Sequence, residues 1–190
     1  MAHDHVDSDQ PMIGDHDRRD TVLESALGTF ARYGYRKTSM EEVARAAQIS
    51  RPGLYFLFSS KETLFRAAVE RTLQRDIEAV ASALAETERP FRDRLLAAFD
   101  HWAGRYAGPL TRDVMVVIDD NPELLGTIVQ TMPQRFEELI IEAIEATANT
   151  EAARRMSQTL ISTSIGVKHQ VGERREYRDR MAVAIALVVP

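Results

Sequence analysis

Arg51 and Lys61 are cations placed where helices ordinarily carry acids. Each follows a serine able to cap a helix: Ser50 before Arg51, and Ser59-Ser60 before Lys61. The N-terminus of a helix is the positive end of its dipole, so a cation there costs about 0.3–1 kcal/mol unless an anion is present. A phosphate at those ends reverses the sign. The pair therefore suits a polyanion, and screened, solvated cations are the plain alternative.

Other chemistry is poorly served. With no cysteine, a disulfide framework, a Cys-ligated zinc and a thiol nucleophile are excluded. There is no His-Glu-x-x-His pair, phosphate loop, dinucleotide glycine motif or nucleophile elbow. Asp113, Asp119, Asp120 and Glu123 cluster, but helix caps and a solvated turn account for them. The expectation is a non-enzyme with no catalytic residue, no metal site and no cofactor.

Charge is unevenly spread over the 190 residues. Residues 1–17 hold five aspartates, no Lys or Arg, and His3, His5 and His16, which reads as a solvated, disordered tail. Residues 18–61 hold eight basic and four acidic groups, and residues 62–190 hold 16 against 20. A basic N-terminal module on a mildly acidic body again points to a polyanion. The longest apolar run, 181–189, has nine residues, against the roughly 20 needed to span a bilayer. With no signal-like leader, the expectation is a cytoplasmic protein without membrane association.

Helical periodicity runs through the chain and no strand alternation appears. Helices are expected over about 18–33, ending at Gly34, and from the capping box Ser39-Met40-Glu41-Glu42. A short third helix follows Ser50 with Pro52 in its first turn, and Leu54 and Phe58 should pack inward. A fourth opens with a second box, Ser59 to Glu62, and runs to about residue 84. Five more are expected: 91–106, a short one at 114–118, 122–144 with a kink at Pro133, 151–168 and 173–189. About nine helices and a helix-turn-helix unit result.

The run from Thr38 to Ala47, then Ile49-Ser50, Gly53-Leu54-Tyr55-Phe56-Leu57-Phe58 and Ser60-Lys61-Glu62-Thr63-Leu64, closely resembles the DNA-binding segment of TetR-family transcriptional regulators. The resemblance covers about residues 18–66. It implies an all-α fold: an N-terminal three-helix helix-turn-helix domain followed by a larger helical ligand-binding and dimerisation domain. It also implies that Arg51, Pro52, Gly53 and Tyr55 lie on a recognition helix in the major groove, with Arg51 reading guanine. Tyr55, Lys61, Thr38, Ser39 and Ser50 are the implied phosphate contacts, with Lys37 and Gln48 as further candidates. Arg18 and Arg19 could reach the DNA backbone from the first helix. Phe56 and Leu57 depart from the family, which is often polar there. Leu57 reads as packing, while Phe56 is open between packing and a thymine methyl contact.

The domains are then 1–17 (tail), 18–64 (helix-turn-helix) and 65–190 (effector binding and dimerisation). The family's larger domain usually encloses a pocket, for which Phe99, Trp102, Tyr106, Met115, Asp119, Met132 and Phe136 are the candidates, although each taken singly reads first as core. Residues 181–189 are apolar on every side and need cover on more than one face, which a second subunit would supply. Ser157, Leu160, Ile161, Ser164, Tyr177, Met181, Ile185 and Val188 are the expected homodimer interface. The functional expectation is a dimeric regulator, acting as a repressor, released from palindromic double-stranded operator DNA by a small hydrophobic effector. A constitutive repressor or architectural binder is the alternative.

Overall fold

The structure is a computed structural model that describes residues 13–107 and 109–189, with side chains described for 18–107 and 113–189. Most of the acidic tail expected at 1–17 lies outside the described residues.

Ten α-helices and one 3-10 turn make up the described chain. α1 (Ile13–Tyr33) begins five residues inside the segment expected to be disordered. Acidic residues suit the first turns of a helix as well as they suit solvent, so composition did not separate the two. α1 ends at Gly34, whose φ of +79° places it in the left-handed region.

α2 (Met40–Ala46) opens with the expected box: Glu42 N–H donates to Ser39 Oγ at 3.2 Å, and Ser39 N–H donates to Glu42 Oε2 at 2.7 Å. Those bonds from the Ser39 backbone and side chain hold the Glu42 carboxyl below its ordinary range. α2 closes in a Schellman motif, with Ile49 N–H on Ala44 O at 3.0 Å and Gln48 N–H on Arg45 O at 3.2 Å. Gln48 takes the left-handed position (φ +54°) that glycine usually fills.

α3 (Arg51–Leu57) is capped by Ser50, whose Oγ accepts from Gly53 N–H at 3.1 Å. α4 (Lys61–Ala85) starts one residue later than expected. Its box pairs Ser60 with Thr63, and Glu62 instead meets Arg66 at 3.2 Å.

Beyond α4, the helix expected over 91–106 is two elements: α5 (Phe91–Trp102) and a 3-10 turn (Gly104–Tyr106). α6 (Pro109–Asp119) is longer than the short apolar segment expected there. The helix expected over 122–144 is split into α7 (Pro122–Leu125) and α8 (Ile128–Glu145), because Gly126 takes φ +61°, which no α-helix accommodates. α9 (Thr150–Gln170) and α10 (Arg174–Val188) complete the chain. No helix among the described residues is long and apolar enough to cross a membrane.

Two cores result. The N-terminal core joins Val22, Phe30, Val43, Leu54 and Phe58 to Leu64, Phe65 and Val69 of α4 and to Val117, Ile118 and Leu125. A division at residue 64 therefore falls inside one packed unit, because residue 64 lies in the first turn of a continuous helix. The second core holds Val80, Leu95, Phe99, Phe136, Ile140, Leu160, Tyr177, Met181 and Ile185.

Two buried acids tie the second half together. Asp100 is 4% exposed and takes hydrogen bonds from Arg174 (2.9 and 2.8 Å) and from Arg178. Burial works to raise its carboxyl, and the hydrogen bonds and charges of the two arginines outweigh that and hold it below the ordinary range. Asp76, fully buried, accepts from Arg105 and the Tyr106 hydroxyl. There burial wins and the carboxyl is raised. The sequence analysis did not single out Asp76, whose partners Arg105 and Tyr106 stand 29 and 30 residues away in the chain.

Candidate nucleic-acid interface

Leu54 and Phe58 anchor α3 inward, at 0% and 4% exposure, as their spacing predicts. The opposite side of the helix is open. Arg51, Pro52, Tyr55 and Phe56 are all exposed, with the Arg51 guanidinium 5.7 Å from the centre of the Tyr55 ring. This contact holds the cation at the helix N-terminus without neutralising it. Among the described residues Arg51 forms no ion pair. Leu57 is half-buried against the N-terminal core, which settles it as packing.

Gly53 has a reason inside the chain. A Cβ built there would lie 3.0 Å from Ser50 Oγ, the atom that caps the helix. Ser39 and Gln48 are exposed, and the Ser39 hydroxyl is engaged with Glu42. Lys37 is exposed on the loop between α1 and α2. Arg18 and Arg19 are exposed on α1, with Arg19 4.5 Å over the Phe58 ring.

Two residues expected at phosphates do different work. Thr38 is 2% exposed and donates to Gly34 O at 2.9 Å, so its hydroxyl closes the loop and does not face outward. Lys61 is half-buried. Its ammonium donates to the carbonyls of Tyr35 (3.1 Å), Arg36 (3.4 Å) and Thr38 (3.1 Å), and it sits 4.6 Å from the centre of the Tyr35 ring. An ammonium has three donors, and the loop uses all of them. The cation that looked misplaced at the N-terminus of α4 is thus a clamp on the loop leading into α2. Its partners stand more than 20 residues away in sequence, so local spacing carried no sign of them.

Replacing Lys61 with methionine is expected to lower the thermal midpoint. The loss is about 1–2 kcal/mol, below the usual ~1.5–3 for charged hydrogen bonds because the site is half-exposed. DNA affinity should fall alike for all sequences, with the slope of log affinity against log salt unchanged. A slope flattened by one phosphate equivalent would restore the direct contact.

Among the described residues, those expected to enclose a pocket are divided between the two cores and the surface. Phe99 and Phe136 are buried edge to face, 5.3 Å between centres, and Trp102 stacks on Phe136 at 5.0 Å. Tyr106 is buried on Asp76. Met115 and Met132 pack against the N-terminal core, and Asp119 is exposed. An open cleft of about 400 Å³ lies elsewhere, between the end of α1 with its following loop and α6. Tyr33, Tyr35, Lys37, Asp113, Val116 and Asp120 are among its lining residues.

Six of the eight expected dimer residues are covered by the chain itself. Ser157, Leu160, Ser164, Tyr177, Met181 and Ile185 are buried within the chain's own core, and Ile161 and Val188 are half-buried against it. The Tyr177 hydroxyl bonds Ser164 Oγ at 2.7 Å and Phe99 O at 3.3 Å, which fixes that stripe inward. The open faces of α9 and α10 carry Ile165, Val183 and Leu187, at 55%, 60% and 82% exposure.

An all-helical chain with a capped helix-turn-helix, whose third helix presents a cation and two aromatics outward, has the architecture of helix-turn-helix DNA-binding proteins. Residues 22–68 match the model for bacterial regulatory proteins of the tetR family. The chain is similar to the uncharacterized HTH-type transcriptional regulator YhgD of Bacillus subtilis, 29% identical over 131 residues. That match covers 68% of this chain and 66% of that protein, just under two thirds. The nicotine-responsive repressor HdnoR of Paenarthrobacter nicotinovorans is 23% identical over 154 residues, covering 76% and 78%. A solved TetR-like regulator from Rhodococcus sp. RHA1 superimposes with a TM-score of 0.66 at 26% identity, covering 89% and 93%. The N-terminal segment is thus similar to the DNA-binding domain of the TetR family, and the described fold is that of a solved TetR-like regulator.

Proposed function

We propose that this regulator acts as a dimeric repressor that binds a palindromic operator through α3 and is released by a small, largely hydrophobic effector. The open outer face of α3 carries the reading: Arg51, Tyr55 and Phe56 stand exposed on a helix fixed by Leu54 and Phe58. Arg51 reads a guanine, and Tyr55, Ser39 and Ser50 approach phosphates.

The dimer forms through Ile165, Val183 and Leu187 rather than through the stripe buried in the chain. A Cβ added at Gly166 would meet nothing within 4 Å, so a neighbouring helix has room to approach there. Two recognition helices related by a two-fold axis then read two half-sites. Replacing Leu187 with glutamate is expected to give a monomer in sedimentation at micromolar concentration, with helicity unchanged. A wild-type monomer would end this part of the proposal.

The effector binds the cleft between α1 and α6, its apolar body against Tyr33, Tyr35 and Val116 and a polar group toward Lys37, Asp113 and Asp120. One wall of that cleft is the loop clamped by Lys61, so a ligand there bears directly on the entry to α2. It must bind the released conformation better than the DNA-bound one. The nicotine-responsive repressor among the relatives supports both the ligand and the sign of regulation.

One observation favours a second reading, a constitutive binder: Phe99, Trp102 and Phe136 fill the space where an enclosed pocket was expected. The test is selection of DNA from a random pool by the full chain, followed by a small-molecule screen for release. Operator binding that no compound relieves supports the constitutive reading, and failure to select any DNA overturns both.

A further inference from the structure

We infer that Phe56 reads a thymine in each half-site through its 5-methyl group, and so is a specificity-determining residue. This rests on the DNA-binding role of α3 and deepens it.

An α-helix has 3.6 residues per turn, about 100° each. Leu54 and Phe58 define the inward line of α3. Phe56 is two residues from each, and so points away from both. Its exposure is 90%, the greatest of the exposed large hydrophobics among the described residues. Pro52, also exposed, lies one turn earlier on the same outer line. Arg51 and Tyr55 stand to the side, paired with each other. The outermost line of the helix therefore ends in a ring with no hydrogen-bonding group. The core explains Leu57, the next residue, which packs against it, but leaves Phe56 in solvent.

A helix seated in a groove turns its outer line to the floor and its flanks to the walls, and from the first turn a side chain as long as that of Arg51 still reaches the floor. In the major groove the floor is base edges and the walls are phosphates. A phenyl ring set over an amino, carbonyl or ring nitrogen group there would strip its water and return no hydrogen bond. The thymine methyl is the apolar group on that floor, and covering it removes apolar surface from water on both partners. A phosphate gains nothing from the ring.

The test starts from double-stranded DNA selected by the full chain from a random pool. Each thymine of the selected site is replaced in turn by deoxyuridine, which keeps the base pair and removes only the methyl. At one position per half-site, wild type is expected to lose about fourfold in affinity, the worth of one buried methyl. Phe56→Ala is expected to bind thymine and uracil DNA equally, and its exposure keeps the fold out of the comparison. Equal wild-type affinity at every replaced position overturns the inference while the DNA-binding role stands. A Phe56→Ala variant that still prefers thymine at that position overturns it as well. Recovery of no DNA from the pool overturns the inference together with the role it rests on.

Discussion

Arg51→Ala is expected to weaken binding to the selected operator by about 1–3 kcal/mol at one base position of each half-site, roughly five- to 150-fold, and to relax the preference there. The size follows from what the side chain is free to do. Arg51 stands at the first position of α3, exposed, with no ion pair among the described residues. Its stacking on Tyr55 limits the rotamers it must give up on binding. A guanidinium can donate two parallel hydrogen bonds to guanine O6 and N7, and alanine leaves those acceptors dry and unpaired. Because the side chain supports nothing else in the fold, the circular dichroism spectrum and melting temperature should match wild type. Gel shifts against operators varied at each position make the measurement. Affinity and base preference both unchanged would mean that α3 does not dock by its N-terminal end.

Gly104→Ala is expected to be the most destabilising single methyl that can be added among the positions described here. A Cβ on Gly104 would lie 2.5 Å from Asp100 Oδ1 and 2.7 and 2.8 Å from two carbons of the Tyr177 ring. Neither neighbour can step aside cheaply. Asp100 is held by Arg174 and Arg178, and Tyr177 is fully buried with its hydroxyl on Ser164 and Phe99. Overpacking of this kind costs about 1–3 kcal/mol, and breaking the ion pairs to relieve it adds to that. For a chain of this size each kcal/mol shifts the melting temperature by about 2–4 °C, so a fall of roughly 5–10 °C is expected in a thermal melt. A shift below a degree would show that the junction of α5 and α10 is looser than its hydrogen bonds imply.

Both residues sit in short motifs, yet only one was readable in advance. Arg51 announces itself because a cation after a serine cap and before a proline breaks a local rule. Gly104 lies in an ordinary Ala-Gly-Arg-Tyr stretch, and its neighbours are Asp100, one turn back, and Tyr177, in another helix altogether. Thr38 shows the same limit from the other side. Its place beside Ser39 suggested an outward hydroxyl, and the carbonyls of Gly34 and Thr29 drew it inward instead.

The sequence by itself determined the all-helical class, the capped helix-turn-helix, the inward pair Leu54 and Phe58, and the outward cation of α3. These depend on hydrogen bonds and side-chain periodicity within four or five residues, and that range is written directly in the chain. The tertiary structure alone decided that Lys61 clamps a loop, that Asp76 and Asp100 anchor the second half, and that Phe99 and Trp102 both pack on Phe136. It also decided which stripe of α10 is left uncovered. On a helix apolar all round, Met181 and Val183 are equivalent until another helix arrives. The bonds from the Tyr177 hydroxyl to Ser164 and Phe99, 13 and 78 residues away, turn Met181 inward and leave Val183 and Leu187 in solvent.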